Sequence, residues 1–230
     1  MISKYDTILF DVDDTLLDFK QAENKAFLLT ADAFGIVCGD GFYKEYSAIN
    51  ESLWLEHQKG NITTDRLCVE RFRILFENYG IKADPEEVNS RYMESLGSQA
   101  IMFDDTYESC KRLSEKCRLY MITNAVPYVH RRRMKDHPLA ALFCDMFISG
   151  EIGYVKPSVG FFSEVGKRIP GFDKAGTLVA GDSYSSDLEG ALKSGIDCCY
   201  VNRFSKELPE SIVPRYTVKD LRELCDILGL

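Results

Sequence analysis

Carboxylate side chains cluster at two points of the sequence, and each cluster directly follows a short apolar segment. The first cluster begins at Asp11, includes Asp13 and follows residues 8–10; the second begins at Asp182 and follows residues 178–180. Carboxylate oxygens are the ligands that Mg²⁺ prefers in proteins. Asp11, Asp13 and Asp182 together therefore predict a Mg²⁺ site.

Both clusters lie where a buried strand is predicted to end. Open α/β sheets bind ligands at the carboxyl ends of their parallel strands. Side chains two residues apart on a strand point to opposite faces. The chain must therefore leave the strand between Asp11 and Asp13 if both are to reach one site. Asp182 taken alone would also suit the N-cap of the helix that follows it.

Two further polar segments could bind an anion at the same edge. Thr123-Asn124 ends another apolar segment, and a hydroxyl and an amide beside a helix N-terminus can bind anionic oxygens. Lys156 precedes Pro157, which is typical of the first turn of a helix and would leave the lysine at its mouth. Each segment also has a simpler interpretation. Thr123-Asn124 could form a turn or helix cap, and Lys156 could be a solvated surface lysine.

Short apolar segments rich in β-forming residues predict the strands that position these side chains. Buried strands are expected at residues 7–12, 119–123, 146–148, 177–180 and 198–201. Helical patterns lie between the last four of them. This alternation is typical of a parallel sheet covered by helices.

A long helical region, from about residue 21 to 96, separates the first predicted strand from the others. One of its apolar stripes includes Phe72 and Tyr79, and Asp84 is the expected N-cap of a later helix that starts with proline. We therefore predict an α/β fold, with a Rossmann-like parallel sheet core interrupted by an all-helical insert. The expected core is residues 1–16 and 98–230, and the expected insert is 17–97.

Composition argues against several classes of function. Of the 230 residues, 28 are Lys or Arg and 36 are Asp or Glu, so the net charge is −8. A nucleic-acid binder needs a basic face, and the basic run at residues 130–135 is predicted to be a solvated helix face instead. No apolar run approaches the roughly 20 residues of a membrane span.

Cysteine usage favours a reducing compartment. The eight cysteines show no CxxC spacing and mostly have apolar neighbours, which predicts reduced, mainly buried thiols. Residues 1–6 lead straight into the first predicted strand, so we expect no secretory signal peptide. The expected location is the cytoplasm.

Taken in order, these motifs resemble those of the haloacid dehalogenase (HAD) superfamily. The insert after the first motif resembles that superfamily's C1 cap. Within it, the sequence is most similar to pyrimidine 5′-nucleotidases of the YjjG/YfnB type, through residues 9–19, 49–54, 71–72 and 181–183. It departs from the pattern at Ala125, where glycine is usual, and at Gly150, where an acidic residue is usual.

The resemblance implies a Mg²⁺-dependent phosphomonoester hydrolase. Asp11 would be the nucleophile that forms an aspartyl-phosphate, and Asp13 the general acid and base. The side chains of Asp11 and Asp182 and the backbone carbonyl of Asp13 would hold Mg²⁺. The remaining site residues would bind phosphoryl oxygens, namely Thr123, Asn124 and Lys156, or support the site from just behind the ligands, namely Asp187 and Thr15.

The expected substrate is a small phosphomonoester, with a pyrimidine nucleoside monophosphate favoured by the resemblance. Asn50, Trp54 and Phe72 are candidates for base recognition, although the two aromatic rings could equally pack the insert's own core. The alternative function is a HAD phosphatase for sugar phosphates or phosphoglycolate. Asp13 argues against carbon–halogen cleavage, because a halide leaving group needs no proton. The sequence does not indicate an oligomeric state.

Overall fold

The computed structural model describes residues 4–230. The prediction that a signal peptide is absent rests on residues 1–6, and the first three of these lie outside the described residues. Within residues 4–230, six strands form one parallel sheet. The Rossmann-like parallel sheet is confirmed. The strands are β1 Thr7–Asp11, β2 Arg118–Thr123, β3 Asp145–Ile148, β4 Thr177–Gly181, β5 Asp197–Val201 and β6 Tyr216–Val218. Their order across the sheet is β3-β2-β1-β4-β5-β6.

Strand β1 is central in the sheet and is buried on both faces. All five of its residues are buried, as expected for a strand covered by helices on both sides. Ile8 and Phe10 contribute to one apolar cluster, whereas Leu9 contributes to the other. This alternation follows from the two-residue period of a strand, and it fixes which way the strand's last residue points.

Strand β6 is the one strand of the described sheet that the sequence analysis missed. It has three residues, pairs only with β5, and contains one fully buried side chain, Val218. So short an edge strand has too few apolar residues to show a period.

Ten α-helices occur in the described residues. Four of them, between residues 19 and 97, fall in the region predicted to be helical. The helices are α1 Phe19–Ala33, α2 Phe42–Gln58, α3 Thr64–Tyr79, α4 Pro85–Gly97, α5 Thr106–Ser114, α6 Pro127–Met134, α7 Ser149–Ile152, α8 Val159–Arg168, α9 Glu189–Ser194 and α10 Leu221–Leu228.

The described chain divides into two compact units. One contains the residues up to Phe19, Ile101–Pro127 and Met134–Leu230; the other contains Lys20–Ala100 and Tyr128–Arg133. The first holds the sheet, and the second is helical. No helix among the described residues is both long and apolar enough to span a membrane.

Two of the local sequence signals lie in the helical unit. Asp84 caps α4 by accepting a hydrogen bond from Glu86 N at 2.8 Å, as predicted. Phe72 is buried, but Tyr79 is 46% exposed and donates from its hydroxyl to Glu45 Oε2 at 2.7 Å. Tyr79 is the last residue of α3, and its ring packs edge-on against Phe42 with centroids 4.7 Å apart, so it lies on the predicted stripe but is only partly covered.

Part of the basic run at residues 130–135 is buried, so the predicted solvated face is wrong for His130 and Arg133. The Arg133 Nε donates to the backbone oxygen of Gln99 at 2.8 Å within the helical unit. Its charged group therefore has a specific partner, and only the other basic residues of the run face solvent.

The cysteine prediction is confirmed in its main point. All eight thiols are free, six are buried, and Cys144 alone is exposed. Burial raises the pKa of the Cys198 thiol to about 11, so this cysteine stays protonated and unreactive at neutral pH.

Candidate active site

The chain turns sharply as soon as β1 ends at Asp11. The backbone N–H groups of Leu16 and Leu17 both donate to the oxygen of Val12 at 2.9 Å, and Asp14 N donates to Leu17 O at 2.7 Å. Asp14 has a positive φ of 61°, a conformation in which aspartate is better tolerated than most residues. The predicted exit from the strand between Asp11 and Asp13 is therefore present, and Asp13 is half-buried in this turn.

Lys156 is buried at the centre of the site. Its Nζ donates to Asp11 Oδ1 at 2.6 Å, to Asp187 Oδ1 at 2.7 Å and to the backbone oxygen of Ile122 at 3.2 Å. The side chain is 2% exposed, which excludes the interpretation of Lys156 as a solvated surface lysine. All three ammonium protons have acceptors, so the position of the charge is fixed by the protein.

Asn124 holds the backbone of Lys156 in place. Its Nδ2 donates to Lys156 O at 2.9 Å, and its Oδ1 accepts from Lys156 N at 2.9 Å. Both polar atoms of the Asn124 side-chain amide are therefore hydrogen-bonded to the backbone of Lys156. Thr123, which is buried, accepts from Ala125 N through its Oγ1 at 3.1 Å. A threonine hydroxyl that accepts one bond can still donate its proton.

Three carboxylates meet at the ends of β1 and β4. Side-chain oxygens of Asp11, Asp182 and Asp187 lie within 4.8 Å of one another. Asp182 directly follows β4. It is not a helix N-cap, because Ser183 takes that position and accepts from Ser186 N. Asp187, fully buried, is reached through the π-helical turn Tyr184–Leu188.

Thr15 connects the two strand ends. Its Oγ1 donates to Asp11 Oδ2 at 3.2 Å and accepts from Asp182 N at 3.0 Å. Together with Lys156, this contact means that both carboxylate oxygens of Asp11 have a donor. The orientation of the Asp11 side chain is therefore fixed.

Gly181 is required by the close approach of Asp187. A Cβ atom at position 181 would lie 2.3 Å from Asp187 Oδ2 and 2.5 Å from its Cγ. Any larger residue would displace the carboxylate that pairs with Lys156. The glycine of the Gly181-Asp182 motif therefore has a packing role in this site.

The site carries more negative than positive buried charge. Burial, followed by repulsion from Asp187, raises the pKa of Asp11 well above its ordinary value, against the lowering effect of Lys156. Burial and the Asp187 carboxylate likewise raise the pKa of Asp182 to about 6. Burial would lower the pKa of Lys156, but Asp11 and Asp187 raise it overall. Three carboxylates that share one buried lysine suit a divalent cation.

Lys206 is a site residue that the sequence analysis missed. Its Nζ lies 3.4 Å from Asp182 Oδ2, and its side chain is 43% exposed. Asn202 fixes the loop by accepting from Lys206 N at 2.8 Å and donating to Lys206 O at 2.9 Å. No local motif marks this lysine, because it lies in an irregular polar segment after β5.

The residues at which the sequence departs from the HAD pattern fit their surroundings. A Cβ atom at Gly150 would lie 3.0 Å from Pro127 Cγ, so the proline ring occupies the space that a larger side chain would need. Ala125 still supplies its backbone N–H to Thr123. Neither departure removes a polar contact described above.

The three proposed base-recognition residues differ in their surroundings within the helical unit. Phe72 is 1% exposed and stacks on Tyr46 with centroids 5.3 Å apart, so it packs the unit's core. Asn50 is also buried: its Nδ2 donates to Glu23 Oε1 at 2.7 Å, and its Oδ1 accepts from Arg71 Nη1 at 3.1 Å. Both side chains are engaged internally, which argues against their contacting a base. Trp54 is half-buried.

Comparison with known proteins supplies the family. The model of the haloacid dehalogenase-like hydrolases matches residues 5–195. This chain belongs to that family. It is 34% identical to the HAD-hydrolase YfnB of Bacillus subtilis over 100% of this chain and 97% of YfnB. A crystal structure of YfnB bound to magnesium aligns with a TM-score of 0.93 over 98% of this chain and 99% of that one.

Two further relatives of this HAD-like hydrolase are pyrimidine 5′-nucleotidases. PynA of Streptococcus pneumoniae is 30% identical, with 97% of this chain and 95% of PynA covered. YjjG of Escherichia coli is 26% identical, with 98% of each chain covered. The predicted resemblance to the HAD superfamily, and to its pyrimidine nucleotidase type, is confirmed.

Proposed function

We propose that this HAD-like hydrolase is a Mg²⁺-dependent phosphatase that acts through an aspartyl-phosphate on Asp11. The observation that carries the proposal is the group of three carboxylates around the buried ammonium of Lys156, at the carboxyl ends of β1 and β4. The preferred substrates are pyrimidine nucleoside monophosphates. The similarity to PynA and YjjG, which are pyrimidine 5′-nucleotidases, supports this choice.

The donor set fits a Mg²⁺ ion, because every candidate ligand is an oxygen and buried negative charge is in excess. The side chains of Asp11 and Asp182 and the backbone carbonyl of Asp13 would hold the ion. When bound, it would offset the negative charge of the carboxylates and of the substrate phosphate. Asp187 and Thr15 would keep the ligands in place through their contacts with Lys156 and Asp11.

In the proposed reaction, a carboxylate oxygen of Asp11 attacks phosphorus, and the bond from phosphorus to the ester oxygen breaks. Asp13 gives its proton to the leaving oxygen. Water then attacks the phosphorus of the aspartyl-phosphate while Asp13 takes its proton, which releases phosphate and restores Asp11. Lys156 would stabilise negative charge on the phosphoryl oxygens and on Asp11, and Thr123 would donate its hydroxyl proton to them.

We further propose that residues 17–97 form a cap that selects the substrate. Trp54 remains the candidate for stacking on the base, because it is half-buried and touches His57 edge-on with centroids 5.5 Å apart. Asn50 and Phe72 are not proposed as base contacts, because both side chains are engaged inside the helical unit.

A divalent metal is expected to be required for activity. The first test is hydrolysis of p-nitrophenyl phosphate with Mg²⁺, with Mn²⁺, with Zn²⁺ and with excess EDTA. Hard oxygen ligands predict full activity with Mg²⁺, activity with Mn²⁺ and none with EDTA. Undiminished hydrolysis in EDTA would contradict the metal requirement, and no hydrolysis under any condition would contradict the proposed phosphatase.

Asp13→Asn is expected to slow poor leaving groups selectively. General acid catalysis contributes about 10²–10⁴-fold, but nitrophenolate is a stable anion that leaves without a proton. The rate of aspartyl-phosphate formation from dUMP should therefore fall by about 10²-fold or more, and the rate of its formation from p-nitrophenyl phosphate should fall much less. Equal losses on both substrates in single-turnover measurements would argue against Asp13 as the acid.

Pyrimidine nucleotides are expected to exceed sugar phosphates in kcat/KM. Stacking of a base on an aromatic ring contributes about 1–3 kcal/mol, so the preference for dUMP over a hexose phosphate should be about 5- to 150-fold. Equal values, or preference for the sugar, would favour a sugar-phosphate phosphatase instead. Trp54→Ala should reduce the preference while Leu55→Ala, an exposed neighbour on α2, should not.

A further inference from the structure

Arg203 and Asp105 form a buried ion pair that contacts the loop after Asp11. The Nη1 and Nη2 atoms of Arg203 donate to Asp105 Oδ1 at 2.8 Å and to Asp105 Oδ2 at 3.0 Å. The side chains are 7% and 5% exposed. Two parallel hydrogen bonds between planar groups fix both distance and orientation, which a single ammonium contact cannot do.

Two further contacts within the sheet unit anchor the ion pair. Asp105 Oδ2 accepts from the backbone N–H of Leu221, at the start of α10, at 2.8 Å. The Arg203 guanidinium lies over the ring of Phe103 at 4.1 Å from its centroid. Burial raises the pKa of Asp105, but Arg203 and Leu221 N lower it below its ordinary value overall. The pair is therefore charged and well anchored.

Two consecutive backbone carbonyls of the loop after Asp11 accept hydrogen bonds from side chains close to the ion pair. Arg203 Nε donates to Thr15 O at 3.0 Å, and Thr106 Oγ1 donates to Leu16 O at 2.9 Å. The hydroxyl of Thr15 in turn contacts Asp11 Oδ2 and Asp182 N. Arg203 thus connects through one residue to both strand ends of the candidate active site.

We propose that Arg203, oriented by Asp105, is a positioning residue that sets the geometry of Asp11 and Asp182 through Thr15. This inference rests on the proposed function of the site. A misplacement of about 1 Å at a reacting group can cost about 10²-fold in rate, and loss of an outer hydrogen-bond partner typically costs about 10–100-fold in metal affinity or activity.

The test uses Arg203→Lys, which keeps the charge but cannot form both bonds to Asp105, and Asp105→Asn, which keeps the shape. Each variant should lower kcat for p-nitrophenyl phosphate by about 10- to 100-fold. KM should change little. Mn²⁺ affinity, measured by electron paramagnetic resonance without substrate, should fall as well. The double variant should be no worse than the poorer single variant, because both residues act through one chain of contacts.

Tyr5→Phe is the matched control for stability. The Tyr5 hydroxyl donates to Asp197 Oδ2 at 2.6 Å in the same unit, so its loss should lower the melting temperature without changing kcat. All assays are made well below each variant's melting temperature, on protein shown to be folded by circular dichroism.

Folded Arg203 and Asp105 variants with wild-type kcat and Mn²⁺ affinity would overturn the positioning role and leave the pair a structural contact. Additive losses in the double variant would overturn the shared chain of contacts. If instead the wild-type chain binds Mn²⁺ but hydrolyses no phosphomonoester, the proposed function fails. In that case the Mn²⁺ affinities of the Arg203 and Asp105 variants, compared with the wild type, are the measurement that tests the positioning role.

Discussion

Asp11→Asn is expected to reduce turnover of p-nitrophenyl phosphate by about 10⁴-fold or more, because an amide is a poor nucleophile and no other group replaces it. The side chain has the same shape, and its carbonyl oxygen can still accept from Lys156, which contacts Asp11 Oδ1 at 2.6 Å. The loss should therefore appear in kcat on fully folded protein. The measurement is steady-state hydrolysis with saturating Mg²⁺.

The stability of Asp11→Asn provides a second readout of the same site. Asp11 and the Asp187 carboxylate repel each other and are both buried. Because Lys156 keeps Asp187 as an ion-pair partner, removing the Asp11 charge should leave the metal-free melting temperature unchanged or higher. Mg²⁺ should then stabilise the wild type more than the variant, because a ligand that binds only the folded state stabilises it more the more tightly it binds.

Asp32→Asn is the matched control, since this aspartate on α1 is exposed and outside the site. It should retain wild-type kcat and the wild-type response of the melting temperature to Mg²⁺. Substantial turnover by Asp11→Asn, at more than a few per cent of wild type, would contradict the aspartyl-phosphate mechanism.

The parts of this site that could be predicted from the sequence are those that local signals mark. Asp11 and Asp182 each stand at the end of an apolar strand segment. The local sequence therefore reveals both the carboxylate and its position at the carboxyl end of a strand. The N-cap at Asp84 is equally local. Parallel topology followed from the alternation of strands and helices, because that order leaves few other arrangements.

Contacts between distant segments could not be predicted in this way. Arg203 and Asp105 are 98 residues apart in the chain, and neither lies in a motif. Lys156 is 145 residues from Asp11, so its burial depended on a partner that its neighbours in sequence do not reveal. Arg133 is a similar case, because its basic neighbours suggest solvent while its own partner is Gln99 O.

Lys156→Met is expected to abolish phosphatase activity and to destabilise the protein strongly. The substitution roughly preserves the apolar stem but removes the charge that pairs with both Asp11 and Asp187. Removing one partner of a buried ion pair typically costs about 3–5 kcal/mol, because the remaining charge is buried without compensation. Chemical denaturation, read by circular dichroism in metal-free buffer, measures this loss directly.

Lys167→Met is the control at the surface. Lys167 pairs with Glu164 one helical turn away, and its side chain is 66% exposed. Exposed ion pairs contribute about 0–1 kcal/mol, so this variant should unfold like the wild type and keep its kcat. The contrast between the two lysines tests burial of the charge, as distinct from loss of a lysine.

The double variant Lys156→Met/Asp187→Asn separates the stabilising role of Lys156 from its catalytic role. Asp187→Asn removes one of the two carboxylates left unpaired, so part of the lost stability should return. Activity should not return, because the phosphoryl oxygens would still lack the ammonium group. A Lys156→Met protein that unfolds within about 1 kcal/mol of the wild type would contradict the buried-charge argument. One that also hydrolyses phosphomonoesters normally would show that the site works without this lysine.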